Sequence, residues 1–307
     1  MSARCGFAAL IGAPNAGKST LLNRLAGAKL AIVTPKAQTT RGRVLGIVMR
    51  GESQILLLDT PGIFTPRRRL DQVMVEAAWN SAREADTILL LVDSRAADAN
   101  AEARAAAGEI AARLAEGGAA LWLVLNKIDL LAPHRLLALT AALHEAAPFA
   151  ETLMISATTG DGVATLLDRL AQAMPEGPHL YPEDQLSDLS DRAMAAEIVR
   201  EQIFLQTHAE VPYGATVVTE SFRPLEDGSV RIEATIHVDR PGHKAILIGA
   251  KGARIREIGA RARAALGRLL ERDVHLFLVV KQDPGWHDDP RRLRALGLET
   301  PHPGGKP

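Results

Sequence analysis

The sequence contains very little cysteine and no long apolar run. Cys5 is the only cysteine among 307 residues, so an intrachain disulfide is excluded and a reducing compartment is expected. The N-terminus lacks the basic and apolar segments of a signal peptide. Every apolar run is far shorter than the roughly 18 residues that a membrane-spanning helix needs. We therefore expect a cytoplasmic protein.

The chain also lacks an excess of charge of either sign. Its 36 Lys and Arg residues balance 36 Asp and Glu residues, which excludes a protein that is basic throughout its length. Although the net charge of the whole chain is zero, one region is basic: residues 240–272 contain nine Lys or Arg and only two Glu. Such a cluster is typical of a surface that contacts a nucleic acid. A helix with one solvated face is the simpler alternative.

At this length and with 47% hydrophobic residues, the chain can form two folded domains. In the first half, apolar runs of strand length alternate with helical patterns, which predicts a doubly wound α/β domain over residues 1–175. The second and third strands are joined at the short segment Gly-Glu-Ser, residues 51–53, so these two should form an antiparallel hairpin. Strands are expected at 7–11, 44–50, 53–59, 87–93, 119–126 and 152–156. Helices are expected at 20–25, 72–83, 99–115, 135–146 and 163–173.

A second domain is predicted after a proline-rich stretch. Residues 176–192 are interpreted as a linker. Beyond them the patterns run helix, strand, strand, helix, helix, strand, which predicts a smaller α+β domain at 193–284. Residues 285–307 are expected to form a C-terminal tail whose Pro/Gly-rich end is disordered.

The stretch GAPNAGKST at residues 12–20 separates the first strand from the first helix. It matches the pattern G-x-x-x-x-G-K-[ST], in which two glycines let backbone N–H groups surround a phosphate at a helix N-terminus. Lys18 would reach the β- and γ-phosphates, and the Ser19 hydroxyl would bind Mg²⁺. The pattern predicts a P-loop that binds a nucleoside triphosphate.

Three further strand ends indicate that the nucleotide is GTP. Asp59 and Gly62 in DTPG are placed to bind Mg²⁺ and to sense the γ-phosphate. In NKID, the carboxylate of Asp129 can accept two hydrogen bonds from guanine that adenine does not offer. The segment SAT at 156–158 can supply a backbone N–H to the guanine oxygen. The residues predicted to bind GTP are Gly12, Ala13, Pro14, Asn15, Ala16, Gly17, Lys18, Ser19, Thr20, Asp59, Thr60, Pro61, Gly62, Ile63, Asn126, Lys127, Asp129, Ser156 and Ala157.

With these loops in this order, the chain resembles the translation-factor-related GTPases. The resemblance implies a switch threonine within PKAQTTRGRV, which we assign to Thr40, with Thr39 as the alternative. Mg²⁺ would be held by Ser19, Thr40 and Asp59. The residues implied in catalysis are Asn15, Lys18, Thr40 and Gly62.

The position after Gly62 departs from the Ras-like pattern. Ile63 stands where those enzymes have the glutamine that orients the attacking water, so hydrolysis should be slow without assistance. Asn15 matches the asparagine with which related GTPases hold K⁺ against the phosphates, where the ion would supply positive charge. The alternative is that Asn15 only shapes the loop.

Residues 249–252, Gly-Ala-Lys-Gly, lie between two predicted helices of the second domain. A GxxG turn lets the backbone approach a sugar-phosphate chain, as in the KH clamp for about four nucleotides of single-stranded RNA. The element order and the basic region favour this interpretation over a helix cap. Aromatic residues make up only 4% of the chain, so contacts to backbone, phosphate and base edges should dominate. The residues predicted to bind RNA are Lys244, Ile248, Gly249, Ala250, Lys251, Gly252, Arg254 and Arg256.

Four features of the chain are shared with one known family: the P-loop, the segment KAQTTR, the KH-like module and the ending VKQDPGWHDDPRRLRALGL. With these features the chain resembles the Era family of ribosome-assembly GTPases over about residues 7–298. The resemblance implies a type II KH domain, binding to 16S rRNA near its 3′ end, and a GTP-controlled role in assembly of the 30S subunit. It also implies peripheral association with the inner membrane. We expect a monomer. The alternative is a GTPase for RNA modification or for membrane and cell-cycle signalling, whose basic module docks another partner.

Overall fold

The computed structural model describes residues 3–208 and 210–298. The chain divides into two compact units. Within the described residues, the first unit comprises 3–31, Thr40–Asp188 and 294–298. The second comprises Ile32–Thr39 and Leu189–Leu293. A short piece of the N-terminal half therefore belongs to the C-terminal unit.

The first unit is built on a six-stranded sheet with the strand order β2-β3-β1-β4-β5-β6. Strand β2 runs antiparallel to β3, as the predicted hairpin requires, and the other pairs are parallel. The strands are β1 (Arg4–Ile11), β2 (Val44–Arg50), β3 (Ser53–Asp59), β4 (Thr87–Asp93), β5 (Ala120–Asn126) and β6 (Glu151–Met154). The helices are α1 (Lys18–Ala26), α2 (Arg69–Glu84), α3 (Ser94–Ala99), α4 (Ala101–Ala115), α5 (Pro133–His144) and α6 (Val163–Ala173).

Helices cover both faces of this sheet, which explains why its central strands are apolar at consecutive positions. Strand β3 is buried along its whole length. One apolar cluster joins the sheet to α2, α4 and α5, and a second joins it to α1 and α6. The predicted doubly wound α/β fold is confirmed, and the loops that follow the parallel strands lie at one edge of the sheet.

The helix predicted at 99–115 is observed as α4, which begins two residues later, and a short helix that was not predicted, α3, precedes it. The Asn100 side chain accepts hydrogen bonds from the backbone N–H groups of Glu102 at 2.8 Å and Ala103 at 3.4 Å. Asparagine caps helix N-termini in this way, so Asn100 starts a new helix rather than continuing the old one.

The predicted linker at 176–192 is in large part bonded to the first unit. The N–H of Ile47 donates to the carbonyl of Leu186 at 2.8 Å, and the Ser187 hydroxyl donates to the carbonyl of Leu45 at 2.6 Å. These bonds satisfy backbone groups of the edge strand β2. The domain limits proposed from sequence stay predictions, and residues 299–307 of the predicted tail lie outside the described residues.

The second unit has the α-β-β-α-α-β order predicted from its sequence. Its sheet has the order β7-β8-β9, with β7 antiparallel and β9 parallel to β8. One apolar core joins the sheet to α7 and α9. The elements are α7 (Asp191–Gln206), β7 (Ala215–Pro224), β8 (Val230–Val238), α8 (Pro241–Ile248), α9 (Ala253–Leu270), β9 (Val274–Gln282) and, after them, α10 (Pro290–Ala295).

Across residues 3–208 and 210–298, no helix is long and apolar enough to span a membrane.

Candidate nucleotide and RNA sites

The P-loop connects β1 to α1 in the conformation that an anion site needs. Gly17 precedes the helix with φ 99°, and a Cβ at this position would lie 2.2 Å from the Asn126 side-chain nitrogen. Only glycine fits such a position. The first turn of α1 carries no acidic residue, so its N–H groups and the positive end of the helix dipole favour a phosphate.

Lys18 is buried within this loop. Its ammonium donates to the carbonyls of Gly12 and Ala13, both at 3.1 Å. Burial lowers the pKa of Lys18 to about 8, and the charge of Asp59 partly offsets this shift. A bound phosphate would stabilise the charged ammonium further, because an anion beside it favours the protonated form.

Asp59, Ser19 and Thr40 form a cluster at the end of β3. The Ser19 hydroxyl donates to Asp59 Oδ2 at 2.6 Å and lies 2.8 Å from the Thr40 hydroxyl. Thr40 Oγ1 is 3.4 Å from the same carboxylate oxygen. Burial raises the pKa of Asp59 to about 6, although hydrogen bonds from Ser19 and the charge of Lys18 lower it in part. The other oxygen, Asp59 Oδ1, is buried and accepts no hydrogen bond from the described residues.

The two candidate switch threonines have different surroundings. The Thr39 hydroxyl lies 2.8 Å from the Thr34 hydroxyl and donates to the carbonyl of Lys36 at 2.9 Å. It is engaged within its own loop, whereas the Thr40 hydroxyl points to Ser19 and Asp59. The geometry therefore favours Thr40 over Thr39 as a metal ligand.

The DTPG loop follows Asp59 and lies against the P-loop. The N–H of Ile63 donates to the carbonyl of Gly12 at 3.0 Å, and the buried hydroxyl of Thr60 donates to the carbonyl of Leu10 at 2.8 Å. A Cβ on Gly62 would lie 2.6 Å from the backbone nitrogen of Pro14. The side chain of Ile63 packs against the apolar core of the unit, so it has no means of orienting water.

Asn126 links three loops of the site. Its amide nitrogen donates to the carbonyl of Ala16 at 2.8 Å. Its amide oxygen accepts from the N–H groups of Lys127 at 2.8 Å and Ala157 at 3.0 Å. Asn126 is among the residues predicted to bind GTP, and most of the hydrogen-bonding capacity of its amide is used within the protein. Asn126 therefore fixes the P-loop, the NKID loop and the SAT loop relative to one another.

The rest of the NKID loop presents Asp129 to solvent. Lys127 has φ 64° and its ammonium lies 2.6 Å from Asp93 Oδ2 at the end of β4. Asp129 is exposed and its carboxylate makes no hydrogen bond or ion pair with the described residues. It is thus an available acceptor for a ligand. Asp93 was missed by the sequence reasoning, although a strand-end aspartate in LLLVD resembles the one in LLLD.

Arg24 also supports the base-binding side of the site and was not predicted from sequence. It lies in the last turn of α1, and its guanidinium donates to the carbonyls of Ala157, at 3.1 Å, and Thr158. Ser156 is buried and its hydroxyl accepts from the N–H of Thr159 at 3.1 Å. The SAT loop is therefore held by Arg24 through two backbone carbonyls and by the bond between Ser156 and Thr159.

The remaining predicted nucleotide residues lie in or next to the P-loop. Asn15 is exposed and has φ 64°, a left-handed conformation that asparagine tolerates better than most residues. Ala16 is buried under the loop, and Thr20 lies in the first turn of α1. The structure thus brings all predicted nucleotide residues to one edge of the sheet.

The GxxG segment forms a tight connection between α8 and α9. Gly249 has φ 70° and ψ 176°, and a Cβ at this position would lie 2.8 Å from Arg254 Cβ. The segment continues through a 3-10 turn that contains Lys251, itself left-handed at φ 49°. Ala250 and Lys251 are exposed at the tip of the turn. The tip of the loop is therefore exposed, as the predicted clamp requires.

The basic residues around this loop differ in their availability. Lys251 is exposed and its ammonium has no partner among the described residues, whereas Arg256 donates to the Lys251 carbonyl at 2.8 Å. Arg254 donates to the carbonyl of Gln206 at the end of α7. Lys244 and Ile248 are partly buried on α8. The eight predicted RNA residues lie on α8, in the loop and in the first turn of α9.

Two family profiles match the chain. The family described as 50S ribosome-binding GTPase matches residues 7–127, and the KH domain family matches residues 210–287.

Curated relatives match the chain over nearly its full length. A protein named GTPase Era from Afipia carboxidovorans is 52% identical, covering 97% of this chain and 95% of the relative. GTPase Era from Mesorhizobium japonicum is also 52% identical, covering 97% of this chain and 94% of the relative.

Two solved structures match the chain over nearly its full length. A point variant of Era from Aquifex aeolicus bound to GDP and AlF4⁻ has a TM-score of 0.87 and 38% identity, covering 97% of this chain and 100% of that chain. A structure of Era with MgGDPNP and nucleotides 1506–1542 of 16S ribosomal RNA has a TM-score of 0.90 and 40% identity, with the same coverage.

Proposed function

The chain belongs to the GTPase Era family, and from that premise we propose that it is a GTP-controlled switch that binds 16S ribosomal RNA near its 3′ end. Two observations support the proposal. The residues predicted to bind the nucleotide meet at one sheet edge, and the exposed Asp129, which has no partner among the described residues, can accept hydrogen bonds from guanine. A relative that is 40% identical over 97% of this chain is in complex with MgGDPNP and nucleotides 1506–1542 of 16S ribosomal RNA.

Mg²⁺ fits the cluster at the end of β3. The buried oxygen Asp59 Oδ1 accepts no hydrogen bond from the described residues, and the hydroxyls of Ser19 and Thr40 lie beside the same carboxylate. Oxygen ligands of this kind are the ones that Mg²⁺ prefers. Ser19, Thr40 and Asp59 would hold the ion, which neutralises charge on the β- and γ-phosphates when bound.

The side chains and backbone of this chain would bind the phosphates and supply positive charge, rather than a general base for the attacking water. Lys18 and the N–H groups at the start of α1 would position the phosphates. Ile63 packs on the core and orients no water, so intrinsic hydrolysis should be slow. We propose that Asn15 holds K⁺ against the phosphates. The left-handed φ of Asn15 equally fits a residue that only shapes the loop, and exchanging K⁺ for Na⁺ separates these two roles.

The GxxG loop would bind the RNA. Its exposed backbone and the free ammonium of Lys251 are suited to a sugar-phosphate chain that passes close to the turn. We further propose a role in assembly of the 30S subunit. In this role the protein would act as a cytoplasmic monomer that associates peripherally with the inner membrane.

The proposal is tested by isolating the RNA that the tagged protein retains in cell extract with a non-hydrolysable GTP analogue or with GDP. We expect the 3′ end of 16S rRNA to be enriched, and more so with the analogue. Enrichment of tRNA instead would favour a GTPase of RNA modification, and recovery of no RNA in either state would reject the RNA-binding role.

A further inference from the structure

The end of strand β4 lies between the two loops that would hold the phosphates and the base of the nucleotide. In the sheet order β1-β4-β5, strand β1 leads into the P-loop and β5 leads into the NKID loop. The P-loop lies so close to β4 that a Cβ on Gly12 would be 2.3 Å from the carbonyl oxygen of Leu91. Two residues later, Asp93 is paired in register with Asn126, the first residue of the NKID loop. Asp93 is therefore placed beside the loop that would bind the base.

The carboxylate of Asp93 uses both of its oxygens. Oδ1 accepts from the backbone N–H of Ala96 at 3.1 Å and so caps the N-terminus of α3. Oδ2 accepts from the ammonium of Lys127 at 2.6 Å. The side chains of Asp93 and Lys127 are only 23% and 30% exposed, so water competes for this ion pair less than at an open surface. The bond to Ala96 fixes the direction of the carboxylate, and its second oxygen is thereby held in place for Lys127.

Helix α3 is itself anchored in the first unit. Its Ala97 is 2% exposed and belongs to the apolar cluster that includes residues of α5. The carboxylate of Asp98 lies 2.7 Å from the guanidinium of Arg135, which is also on α5. Side chains that are held by packed elements keep their geometry better than side chains on free loops. Asp93, between strand β4 and the packed helix α3, therefore holds Lys127 against a rigid part of the fold.

The backbone of Lys127 is constrained as well. Its φ of 64° lies in the left-handed region, which a lysine adopts less readily than glycine or asparagine. Its N–H donates to Asn126 Oδ1 at 2.8 Å, and its carbonyl accepts from the N–H of Leu130 at 3.0 Å. The short turn that contains Asp129 thus begins on Lys127, whose main chain is held by these two bonds and whose ammonium is held by Asp93.

We infer that Asp93 is a positioning residue for guanine-nucleotide binding and that it acts through Lys127. While its ammonium is bound to Asp93, the aliphatic stem of Lys127 stays in one place before the nucleotide arrives, ready to lie along the ring of the base. Without Asp93 this long side chain can adopt many rotamers, and ordering it on binding lowers the affinity. The inference rests on the proposed placement of the base at the NKID loop.

This role affects nucleotide binding rather than hydrolysis. The base does not react, so a contact to it stabilises the bound GTP and the transition state to the same extent. Loss of the ion pair should therefore raise KM, leave kcat within about twofold of the wild-type value, and weaken GDP and GTP by the same factor. A general disturbance of the fold would instead lower kcat and the thermal midpoint together. The comparison of KM with kcat thus separates positioning of Lys127 from damage to the structure.

Three single variants and one double variant test this role. Asp93→Asn keeps an oxygen that can cap α3 but removes the acceptor for the ammonium. Lys127→Met keeps the aliphatic stem and removes the charge, and the double variant combines the two changes. Asp98→Asn is the matched control, because it removes a carboxylate of α3 that is paired with Arg135 instead of Lys127. Thermal unfolding of each variant establishes that the fold is retained.

The readouts are the dissociation constants for GDP and for a GTP analogue, with KM and kcat for GTP. Asp93→Asn should weaken both nucleotides by about three- to tenfold, which corresponds to the cost of immobilising one long side chain. Asp98→Asn should bind both nucleotides like the wild type. The double variant should bind them no more weakly than Lys127→Met, because Asp93 has no effect once the ammonium is absent.

Two results would overturn the inference. One is wild-type nucleotide affinity in Asp93→Asn. The other is a double variant in which the losses of the two single variants simply add, since Asp93 would then not act through Lys127. If Lys127→Met itself binds GDP like the wild type, the proposed placement of the base beside Lys127 fails, and the role of Asp93 falls with it.

Discussion

Replacing Asp129 by Asn should transfer the preference of the site from guanine to xanthine nucleotides. The carboxylate accepts from both the N1–H and the exocyclic amine of guanine. An amide presents a donor on one side, which suits the carbonyl that xanthine has in place of that amine. Asp129 is exposed and has no partner among the described residues, so this substitution alters ligand binding without breaking a protein contact.

The size of the effect follows from that geometry. Each hydrogen bond to a charged acceptor contributes about 1.5–3 kcal/mol. Because water competes for an exposed carboxylate, we expect each of the two bonds from guanine to contribute near the lower end of this range. Loss of both bonds should therefore cost about 2–4 kcal/mol, or about 30- to 1000-fold in the GTP dissociation constant. Xanthosine triphosphate should recover most of this loss.

The assay is a titration of both nucleotides against both proteins, with Asn126→Ala as a contrasting variant. Asn126 makes three hydrogen bonds that link the P-loop, NKID and SAT loops, so its loss should lower the free energy of unfolding by at least about 2 kcal/mol as well as weaken binding. Asp129→Asn should leave the thermal midpoint unchanged. Equal GTP affinity in wild type and Asp129→Asn would refute the assignment of guanine to this loop.

Three further results are expected. Replacement of K⁺ by Na⁺ should slow single-turnover hydrolysis in the wild type but not in Asn15→Ala; equal wild-type rates in both salts would remove the K⁺ role. Arg24→Ala should weaken GDP binding by about three- to tenfold, because the guanidinium no longer holds the carbonyls of Ala157 and Thr158, and Arg24→Lys should restore part of it. The same substitution should not weaken binding of a purine nucleotide that lacks the O6 oxygen. An equal loss of affinity for GDP and for that nucleotide would contradict the role of Arg24 in holding the SAT loop. Asn100→Ala should lower the free energy of unfolding by denaturant by about 1 kcal/mol, and Asn100→Asp by much less, since aspartate also caps a helix. Equal destabilisation by the two substitutions would argue against the capping role of Asn100.

The sequence was most informative where function depends on neighbouring residues. The P-loop pattern predicted a strand, an anion-binding turn and a helix, and the structure has β1, the turn at Gly17 and α1 in these places. The KH-like order was likewise predicted, because alternating strands and amphipathic helices leave a local signal. The start of α4 at Asn100 also had a local signal, an asparagine followed by a helix-forming run.

Contacts between distant parts of the chain left no such signal. Arg24 is separated by 133 residues from Ala157, and Lys36 by 168 residues from Phe204. Both side chains bond to backbone carbonyls, so no particular partner residue type is required at the other end. A single sequence therefore showed two ordinary cations at these positions, and only the fold reveals what they hold.

The glycines of the GxxG segment show a similar limit. Their spacing predicted a clamp, but it did not distinguish the two positions. A Cβ on Gly249 would lie 3.0 Å from the Arg254 backbone nitrogen, so any substitution there distorts the loop. A Cβ on Gly252 would meet only the flexible end of Arg256, at 3.3 Å. Gly252 is therefore the position at which charge can be changed without displacing backbone, although its φ of 77° still favours Asp and Asn over other residues.

A GTP-controlled RNA clamp at this loop is tested most directly by titrating the 16S 3′-end RNA against three proteins, the wild type, Gly252→Asp and Gly252→Asn. Each titration is done with a GTP analogue and with GDP. Asp and Asn have nearly the same shape, so their difference reports the charge placed beside the phosphates. We predict tighter binding of the wild type with the analogue than with GDP, a loss of about 30-fold or more in Gly252→Asp, and a loss within about fivefold in Gly252→Asn. Wild-type binding that is equal in both nucleotide states, or equal affinity of the Asp and Asn variants, would contradict a GTP-controlled RNA clamp at this loop.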